Sequence, residues 1–204
     1  MTRIVVLRHG RTEWNRVEKF RGRADIGLDR VGVKQAEAAA KRMKEWSISA
    51  IYSSPLRRAM ATSDIIGTLL GLTVTPLPDI IDVDYGEWQG LSTMEVMDRY
   101  NGLYSRWIKD PAGVTFPGGD SFEQVRQRVS RAVDVLIREH PKESVVLVAH
   151  KVICQLMVLD LLALDSSHFW QVTQDVGAMN LFEVRGGVPA ALFLNDTCHL
   201  SGLN

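Results

Sequence analysis

Arginine and histidine side chains closely follow three apolar segments of this sequence. They are Arg8 and His9 after the run 4–7, Arg58 after 49–52, and His150 after 144–149. Ligands of open α/β sheets lie beyond the carboxyl ends of the strands. If these strands are neighbours, four such groups converge on one small volume and repel one another unless an anion joins them. A dianion such as phosphate fits best, because guanidinium groups bind its oxygens in pairs. Taken alone, a histidine such as His150 is more often structural.

Apolar runs alternate with longer segments of helical periodicity along most of the chain. The runs that predict strands are 4–7, 49–52, 72–75, 144–149 and 179–184, with a weaker one at 190–194. The segments that predict helices are Gly32–Trp46, Pro55 to about Leu70, and Ser121–His140. This alternation is typical of an α/β fold, and we expect a three-layer α/β/α sandwich around a mostly parallel central sheet.

The segment 82–118 differs in composition from the rest of the chain. Aromatic residues, glycine and proline are enriched there. We interpret this segment as a small helical lid inserted over the site, within a single domain that spans residues 1–204. Tyr85, Trp88 and Trp107 are the candidate lid aromatics, although such residues also pack in protein cores.

The overall composition argues against several kinds of partner and chemistry. The 24 basic residues balance 24 acidic residues, which argues against a nucleic-acid partner. No apolar stretch approaches the roughly 18 residues of a membrane span, and Met1 leads into a strand without an apolar signal segment. We therefore expect a cytoplasmic protein with no membrane partner. Cys154 and Cys198 form neither a Cys-x-x-Cys pair nor a Cys-x5-Arg loop, which argues against structural zinc, a disulfide framework and cysteine-phosphatase chemistry.

Six ordered segments resemble the histidine phosphatase superfamily, which is also called the phosphoglycerate mutase-like family. They are LRHGRTEWN at 7–15, FRGRADIGLDRVGVKQA at 20–36, YSSPLRRAMATS at 52–63, DVDYGEWQG at 82–90, FPGGDSFEQVRQR at 116–128 and VLVAHK at 146–151. The resemblance covers nearly the whole chain, and six motifs in order make it specific. Within the superfamily, the tail 194–200 is most similar to the metal-independent phosphoserine phosphatases.

The resemblance implies roles for the residues that follow the strands. His9 is the expected nucleophile, which carries a transient phosphoryl group. The residues expected to hold the phosphate oxygens are Arg8, Arg58, His150 and Asn15, with Arg21 and Gly22 in a neighbouring loop.

This chemistry places a physical demand on His9. An imidazole attacks phosphorus through an uncharged nitrogen, so His9 must stay neutral although positive charges surround it. The arginines contribute to this state because they lower the pKa of His9. Capture of the phosphoryl group divides one difficult displacement into two easier ones, and we expect neither step to require a metal or another cofactor.

A carboxylic acid is expected to protonate the leaving oxygen, and here the chain departs from its relatives. By resemblance the acid precedes Tyr85, at a position that is commonly Glu and is Asp82 in this chain. Aspartate is one methylene shorter, so the loop would have to move inward, and the pKa of Asp82 must be raised for it to act near neutrality. Asp84 and Glu87 are nearby alternatives, although a solvated loop carboxylate is the simpler interpretation of both.

Further departures bear on the substrate. Arg21 and Gly27 replace the Gln and Pro of many relatives, and Lys151 follows His150 where Gly is frequent. A more basic pocket favours a phosphorylated small acid such as phosphoserine or a phosphoglycerate, followed by sugar phosphates and α-ribazole phosphate. Tyr85 is expected to contact substrate from the lid. His199 is either a second contact, from a tail that folds back near the site, or a residue packed on the sheet.

Three alternative functions stay open on the sequence alone. A 2,3-bisphosphoglycerate-dependent phosphoglycerate mutase would use the same phosphohistidine. Such enzymes usually carry a longer insertion between the acid and the Pro-Gly-Gly sequence, which is at 117–119 in this chain. A magnesium-dependent aspartyl phosphatase would use Asp82 and Asp84 after an apolar strand, but it leaves the strand ends at His9 and His150 unexplained. A non-catalytic or regulatory phosphate-binding protein would usually lack the nucleophile or an oxyanion-binding arginine. The sequence favours a metal-independent phosphatase of small phosphomonoesters, and the resemblance suggests a homodimer.

Overall fold

In the computed structural model, which describes residues 1–17 and 19–203, the chain forms an α/β fold around a mixed, mostly parallel sheet. Within those residues the sheet has six strands, β1 (Thr2–Arg8), β2 (Ile48–Ser53), β3 (Val74–Pro76), β4 (Ser144–Ala149), β5 (Met179–Arg185) and β6 (Val188–Asp196). Their spatial order is β3-β2-β4-β1-β5-β6. The first four in this order pair in parallel, and β5 and β6 extend the sheet in antiparallel pairs.

Helices cover both faces of the sheet. They are α1 (Glu13–Arg16), α2 (Arg30–Met43), α3 (Arg57–Leu70), α4 (Thr93–Lys109), α5 (Phe122–Glu139) and α6 (Lys151–Leu161). The cores of the two faces separate along β1, where Val5 and Leu7 pack with α2 and α3. Ile4 and Val6 pack with the layer that contains α4, α5 and α6. The predicted three-layer sandwich is therefore confirmed, and burial on both faces explains why this strand is continuously apolar.

The predicted elements exist, with boundaries that differ by a few residues. Strand β3 begins at Val74 rather than 72, and α2 covers Arg30–Met43 rather than Gly32–Trp46. The weaker strand prediction at 190–194 is confirmed as part of β6. Helix α4 occupies the segment that we interpreted as a lid, and α6 was not predicted individually. Among the described residues, no helix is long and apolar enough to span a membrane.

Three neighbouring strands bring the predicted site residues together. In the sheet, β4 lies between β2 and β1, with Arg8 opposite Ala149 and Ser53 opposite Val148. The segments that follow these strands therefore lie next to one another at one edge of the sheet, which is the condition for the four predicted groups to converge.

The turn after β1 packs directly on the beginning of α2. A Cβ atom added at Gly10 would lie 2.4 Å from the carbonyl oxygen of Gly32, and one added at Gly32 would lie 2.1 Å from that of Arg11. Asp29 caps α2 by accepting a hydrogen bond from the Gly32 amide at 2.8 Å, and its carboxylate also pairs with Arg11. Two glycines thus permit the close approach that fixes the backbone directly after His9.

Candidate active site

His9 lies at the carboxyl end of β1 and lines a cavity of about 470 Å³. Its Nδ1 is 2.7 Å from the carbonyl oxygen of Gly10. A carbonyl oxygen only accepts hydrogen bonds, so Nδ1 carries the proton and Nε2 keeps its lone pair. Of its two nitrogens, Nε2 is therefore the nucleophilic one.

The surroundings of His9 keep its imidazole neutral. The side chain is almost completely buried, and this burial is the largest cause that holds the pKa of His9 well below its ordinary value. Arg58 and Arg8 lower the pKa of His9 further, because a second positive charge is unfavourable beside them. Burial and the neighbouring charges thus both keep His9 in the neutral state that nucleophilic attack requires.

Arg8 is held by the backbone before β5. Its Nη1 donates to the carbonyl oxygen of Gln174 at 2.6 Å, and burial lowers the pKa of Arg8 to about 10, so the guanidinium stays charged at neutral pH. The side chains of Gln174 and Asn180 form a reciprocal amide pair at 2.8 and 3.0 Å. Asn180 also donates to the carbonyl oxygen of Val6 in β1. Among the described residues, Nε of Arg8 has no hydrogen-bond partner, so this end of the guanidinium retains donor capacity.

Arg58 and His150 lie directly behind the cavity wall. Arg58 is fully buried and donates through Nε to His150 Nδ1 at 3.2 Å. Because a guanidinium only donates, His150 carries its proton on Nε2, which donates to Ser54 Oγ at 2.7 Å. Burial, followed by Arg58 and His9, holds the pKa of His150 well below its ordinary value. The rings of His9 and His150 lie 5.2 Å apart, so the predicted convergence of these groups is present.

Asp82 lines the cavity and contacts the buried Arg58. Its Oδ2 accepts a hydrogen bond from Arg58 Nη2 at 2.9 Å and lies 3.6 Å from His150 Nδ1, while Oδ1 accepts from the Val83 amide at 3.0 Å. Burial raises the pKa of Asp82, and Arg58 and Arg21 oppose this rise. The carboxyl group therefore lies in the cavity wall with the shift in pKa that a general acid needs.

The two alternative carboxylates, Asp84 and Glu87, contact residues that do not line the cavity. Asp84 lies 3.5 Å from Arg23 and accepts a hydrogen bond from the Gly86 amide at 2.9 Å. Glu87 accepts a hydrogen bond from the Tyr100 hydroxyl at 2.8 Å. Neither is among the cavity-lining residues. The segment before Asp82 is a short 3₁₀ turn, Pro78–Ile80, rather than the strand that an aspartyl phosphatase motif requires.

The rest of the cavity wall combines basic and aromatic residues. Of the residues predicted to bind substrate, those that line it are Asn15, Arg21, Gly22, Tyr85 and Lys151. The lining residues that sequence reasoning missed include Lys19, Thr93, Tyr104, Ile108, Gln155 and Trp170. Of the three candidate lid aromatics, Tyr85 and Trp107 reach the wall, whereas Trp88 is fully buried in the core. Nothing in the sequence pattern marked the missed residues, which come from four separate segments of the chain.

His199 is not brought to this cavity, which corrects the prediction that it contacts substrate there. Its Nδ1 lies 3.3 Å from Nη1 of Arg42, a residue of α2. Asp196 also pairs with Arg42, so the tail is fixed against the α2 side of the molecule. Burial and then Arg42 lower the pKa of His199. The alternative stated above, that this histidine packs against the fold, is the one that the geometry supports.

Fold and site together define the class of protein. The family model of the histidine phosphatase superfamily (branch 1) matches residues 4–197. The chain therefore belongs to this superfamily, and it is a phosphomonoester hydrolase by class.

Characterised relatives and solved structures are similar over most of the chain. Phosphoserine phosphatase 1 of Hydrogenobacter thermophilus is 34% identical over 200 residues, which cover 98% of this chain and 95% of that protein. A metal-independent phosphoserine phosphatase of Arabidopsis thaliana is 35% identical over 153 residues, which cover 74% of this chain and 64% of that protein. A phosphoserine phosphatase variant of Entamoeba histolytica in complex with phosphoserine matches with a TM-score of 0.88 and 27% identity, covering 98% of this chain and all of that one.

Proposed function

We propose that this protein hydrolyses small phosphomonoesters of the phosphoserine type through a phosphohistidine at His9. The observation that carries the proposal is the state of His9, whose Nδ1 donates to the Gly10 carbonyl while burial, Arg58 and Arg8 keep the ring neutral. A neutral nucleophile beside fixed positive charge suits phosphoryl transfer, because the arginines stabilise the equatorial oxygens that gain charge in the transition state.

In the first step, Nε2 of His9 attacks phosphorus and the bond between phosphorus and the ester oxygen breaks. The leaving oxygen takes a proton from the Asp82 carboxyl, and the product alcohol departs. In the second step, water attacks the phosphohistidine and gives a proton to the Asp82 carboxylate. The bond between phosphorus and Nε2 then breaks, which releases phosphate and restores both residues. The contacts of Asp82 in the cavity wall support its assignment to both proton transfers.

Substrate binding is expected to change the contacts of Asp82. Its carboxylate lies against Arg58, a guanidinium that a phosphate oxygen would also bind. We infer that the substrate phosphate displaces the carboxylate from Arg58. This exchange removes an interaction that favours the ionised form of Asp82, so burial dominates and the acid is protonated when it is needed.

The cavity wall and the relatives together indicate the substrate class. Lys19, Arg21 and Lys151 place positive charge on the wall beyond the phosphate-binding residues. A carboxylate on the substrate would bind one or more of these cations. Because relatives with 34% and 35% identity are named phosphoserine phosphatases, phosphoserine is our first candidate, followed by phosphoglycerates.

The experiment is a kcat/KM profile over phosphoserine, 3-phosphoglycerate, a sugar phosphate and α-ribazole phosphate, with EDTA present throughout. We expect free phosphate to be released fastest from phosphoserine and EDTA to have no effect. Collapse of activity in EDTA would contradict the histidine route, because it indicates a metal-dependent reaction.

Two outcomes of the same profile distinguish the alternative functions. Efficient conversion of 3-phosphoglycerate to 2-phosphoglycerate in the presence of 2,3-bisphosphoglycerate, with little free phosphate, would indicate a mutase. Tight phosphate binding without turnover of any substrate would indicate a non-catalytic or regulatory phosphate-binding protein.

We also propose that the protein is cytoplasmic and forms a homodimer. Both cysteines are free thiols, Cys154 buried and Cys198 exposed, which is consistent with a reducing compartment. The edge strand β6 exposes Val188, Leu192 and Leu194, an apolar surface of the kind that a second copy would cover. Light scattering on the purified protein tests the dimer, which a monomeric mass would contradict.

A further inference from the structure

Asp82 is carried by a segment that has little regular structure of its own. We call residues 79–84 the acid segment. It begins within one short 3₁₀ turn, Pro78–Ile80, and ends shortly before another, Gly86–Trp88, and none of its residues, all of which the structure describes, belongs to a strand or an α-helix. The position of the Asp82 carboxyl therefore depends on contacts made by other parts of the chain.

Arg128 of α5 binds the acid segment at two points. Its Nη1 donates to the carbonyl oxygen of Asp79 at 2.5 Å, and its Nη2 donates to the carbonyl oxygen of Asp82 at 3.3 Å. The side chain is largely buried, with 16% of it exposed. One guanidinium thus bridges the beginning of the segment and the residue that carries the acid.

Asp120 binds the other end of the acid segment. Its Oδ2 accepts a hydrogen bond from the Asp84 amide at 2.9 Å, and its own amide donates to the Asp84 carbonyl at 2.9 Å. The same carboxylate pairs with Arg23 at 3.1 Å and lies 3.8 Å from Nη2 of Arg128. A Cβ atom added at the adjacent Gly119 would lie 2.3 Å from the Asp84 carbonyl oxygen, so the two backbones are in direct contact.

These groups contact the backbone of the acid segment rather than the Asp82 carboxyl. The charges that act most strongly on the pKa of Asp82 are Arg58 and Arg21. Arg128 and Asp120 instead bind carbonyl groups of Asp79 and Asp82 and the amide group of Asp84. We therefore expect their main effect on catalysis to come from placement of the acid.

We propose that Arg128 and Asp120 are positioning residues for the general acid, which hold the acid segment so that the Asp82 carboxyl meets the leaving oxygen. This inference rests on the proposed function of Asp82. Proton transfer requires hydrogen-bond reach, and a displacement of about 1 Å in an active site costs up to about 100-fold in rate. Loss of either residue should therefore impair proton donation before it impairs phosphate binding.

The test uses two substrates with the same ring but different leaving groups, phenyl phosphate and p-nitrophenyl phosphate. Phenolate is the poorer leaving group and needs the acid more than p-nitrophenolate does. In Arg128→Gln and Asp120→Asn, we expect kcat/KM, which reports formation of the phosphohistidine and not its hydrolysis, to fall about 10-fold or more for phenyl phosphate and less than about 3-fold for p-nitrophenyl phosphate. Arg128→Lys keeps a cation but cannot bridge two carbonyls, so we expect an intermediate effect.

The matched control is Arg126→Gln, on the same helix. Arg126 pairs with Glu123 at 2.7 Å and is 41% exposed, and none of its hydrogen bonds reaches the acid segment. We expect both substrates to keep their wild-type rates in this variant. Thermal unfolding of each variant identifies any general loss of structure.

The outcomes separate the two proposals. Equal losses on both substrates in Arg128→Gln and Asp120→Asn, while Asp82→Asn is selective for phenyl phosphate, would overturn only the positioning role. Equal losses in Asp82→Asn itself would remove Asp82 as the acid, and the positioning role would fall with it. Selective loss in all three variants supports the inference.

Discussion

At the scale of single residues, the site keeps a histidine neutral although two positively charged arginines lie beside it. His9 lies beside Arg8 and Arg58 and nevertheless keeps a lone pair, because burial and the two arginines all disfavour its protonation. The proposed acid, Asp82, is shorter than glutamate but still lines the cavity, and its Oδ2 lies 2.9 Å from Arg58 Nη2. Aspartate in place of glutamate is thus compatible with this geometry.

Removal of the Asp82 charge should free Arg58 for anions. In Asp82→Asn, we expect inorganic phosphate to inhibit more strongly, with a Ki about 10-fold lower, equivalent to ~1.4 kcal/mol of binding free energy. The reason is that carboxylate and phosphate compete for the same guanidinium. Asp84→Asn is the control, because Asp84 does not line the cavity. An unchanged or higher Ki in Asp82→Asn would show that the carboxylate does not compete with phosphate.

The sequence predicted the residues whose position follows from a strand end, and it missed those that depend on distant pairing. Arg8, His9 and His150 were predicted because each comes directly after an apolar strand. The role of Gln174 in holding Arg8 was not predicted, since it acts through a backbone carbonyl that any residue possesses. The prediction for His199 failed because the pairing of Asp196 with Arg42 directs the tail, and no local pattern reveals that pair.

At the scale of elements, the contact between the His9 turn and α2 leaves no room for a side chain. Gly32→Ala would place a Cβ atom 2.1 Å from the Arg11 carbonyl oxygen. We expect a loss of about 1–3 kcal/mol in the free energy of unfolding from overpacking. Because the displaced backbone adjoins His9, we also expect kcat/KM to fall about 10-fold or more.

Gly102→Ala in α4 is the matched control for this substitution. A Cβ atom at Gly102 meets nothing within 4 Å, and the residue lies in a helix. We expect the alanine variant to gain roughly 0.5–1 kcal/mol of stability from its higher helix propensity and to keep its activity. Urea unfolding and steady-state kinetics measure both effects. Equal behaviour of the two variants would contradict the close-contact argument.

Besides the short helix α1, two helices were not predicted individually, for different reasons. Almost every residue of α6 is buried, so this helix is apolar all round and lacks the one-sided periodicity that indicates a surface helix. Helix α4 keeps helical spacing at Val96, Tyr100, Leu103 and Trp107, but the whole segment 82–118 was interpreted from its composition as a lid. The order of the strands in the sheet could not be predicted from the sequence. The predicted convergence of the site residues was conditional on β2, β4 and β1 being neighbours, and the structure shows that they are.

At the scale of the whole molecule, two buried neutral histidines couple stability to pH. The pKa values of His9 and His150 lie well below 6.5 in the folded protein, whereas both residues become charged near 6.5 when unfolded. Below that pH the unfolded state binds more protons, so stability is fully present above pH 6.5 and is lost as the pH falls. The lowered pKa of His199 adds to this dependence, and the raised pKa of Asp82 opposes it at lower pH.

We expect the free energy of unfolding to decrease below pH 6.5 with a slope that approaches ~2.7 kcal/mol per pH unit, the value for two protons. Urea unfolding at several pH values between 5 and 7 measures this slope. His9→Asn removes one of the two groups and should reduce the slope by about one proton, or ~1.4 kcal/mol per pH unit. A stability that stays constant or rises on acidification would contradict buried neutral histidines.

The membership of the chain in the histidine phosphatase superfamily agrees with the six motifs that carried the resemblance. A single domain with a lid over 82–118 remains a prediction, supported by the position of α4 and by the cavity contacts of Tyr104, Trp107 and Ile108. The identity of the substrate depends on side chains from separate segments, which is why the sequence alone indicated only a class.

The most direct test of the account is detection of the phosphorylated histidine itself. Wild-type protein is mixed with p-nitrophenyl phosphate, quenched in base within one turnover, and digested for mass spectrometry. We predict an acid-labile phosphoryl group on the peptide that contains His9, and loss of both adduct and turnover in His9→Ala. Undiminished turnover in His9→Ala, or an adduct on another residue of the wild-type protein, would contradict the central claim.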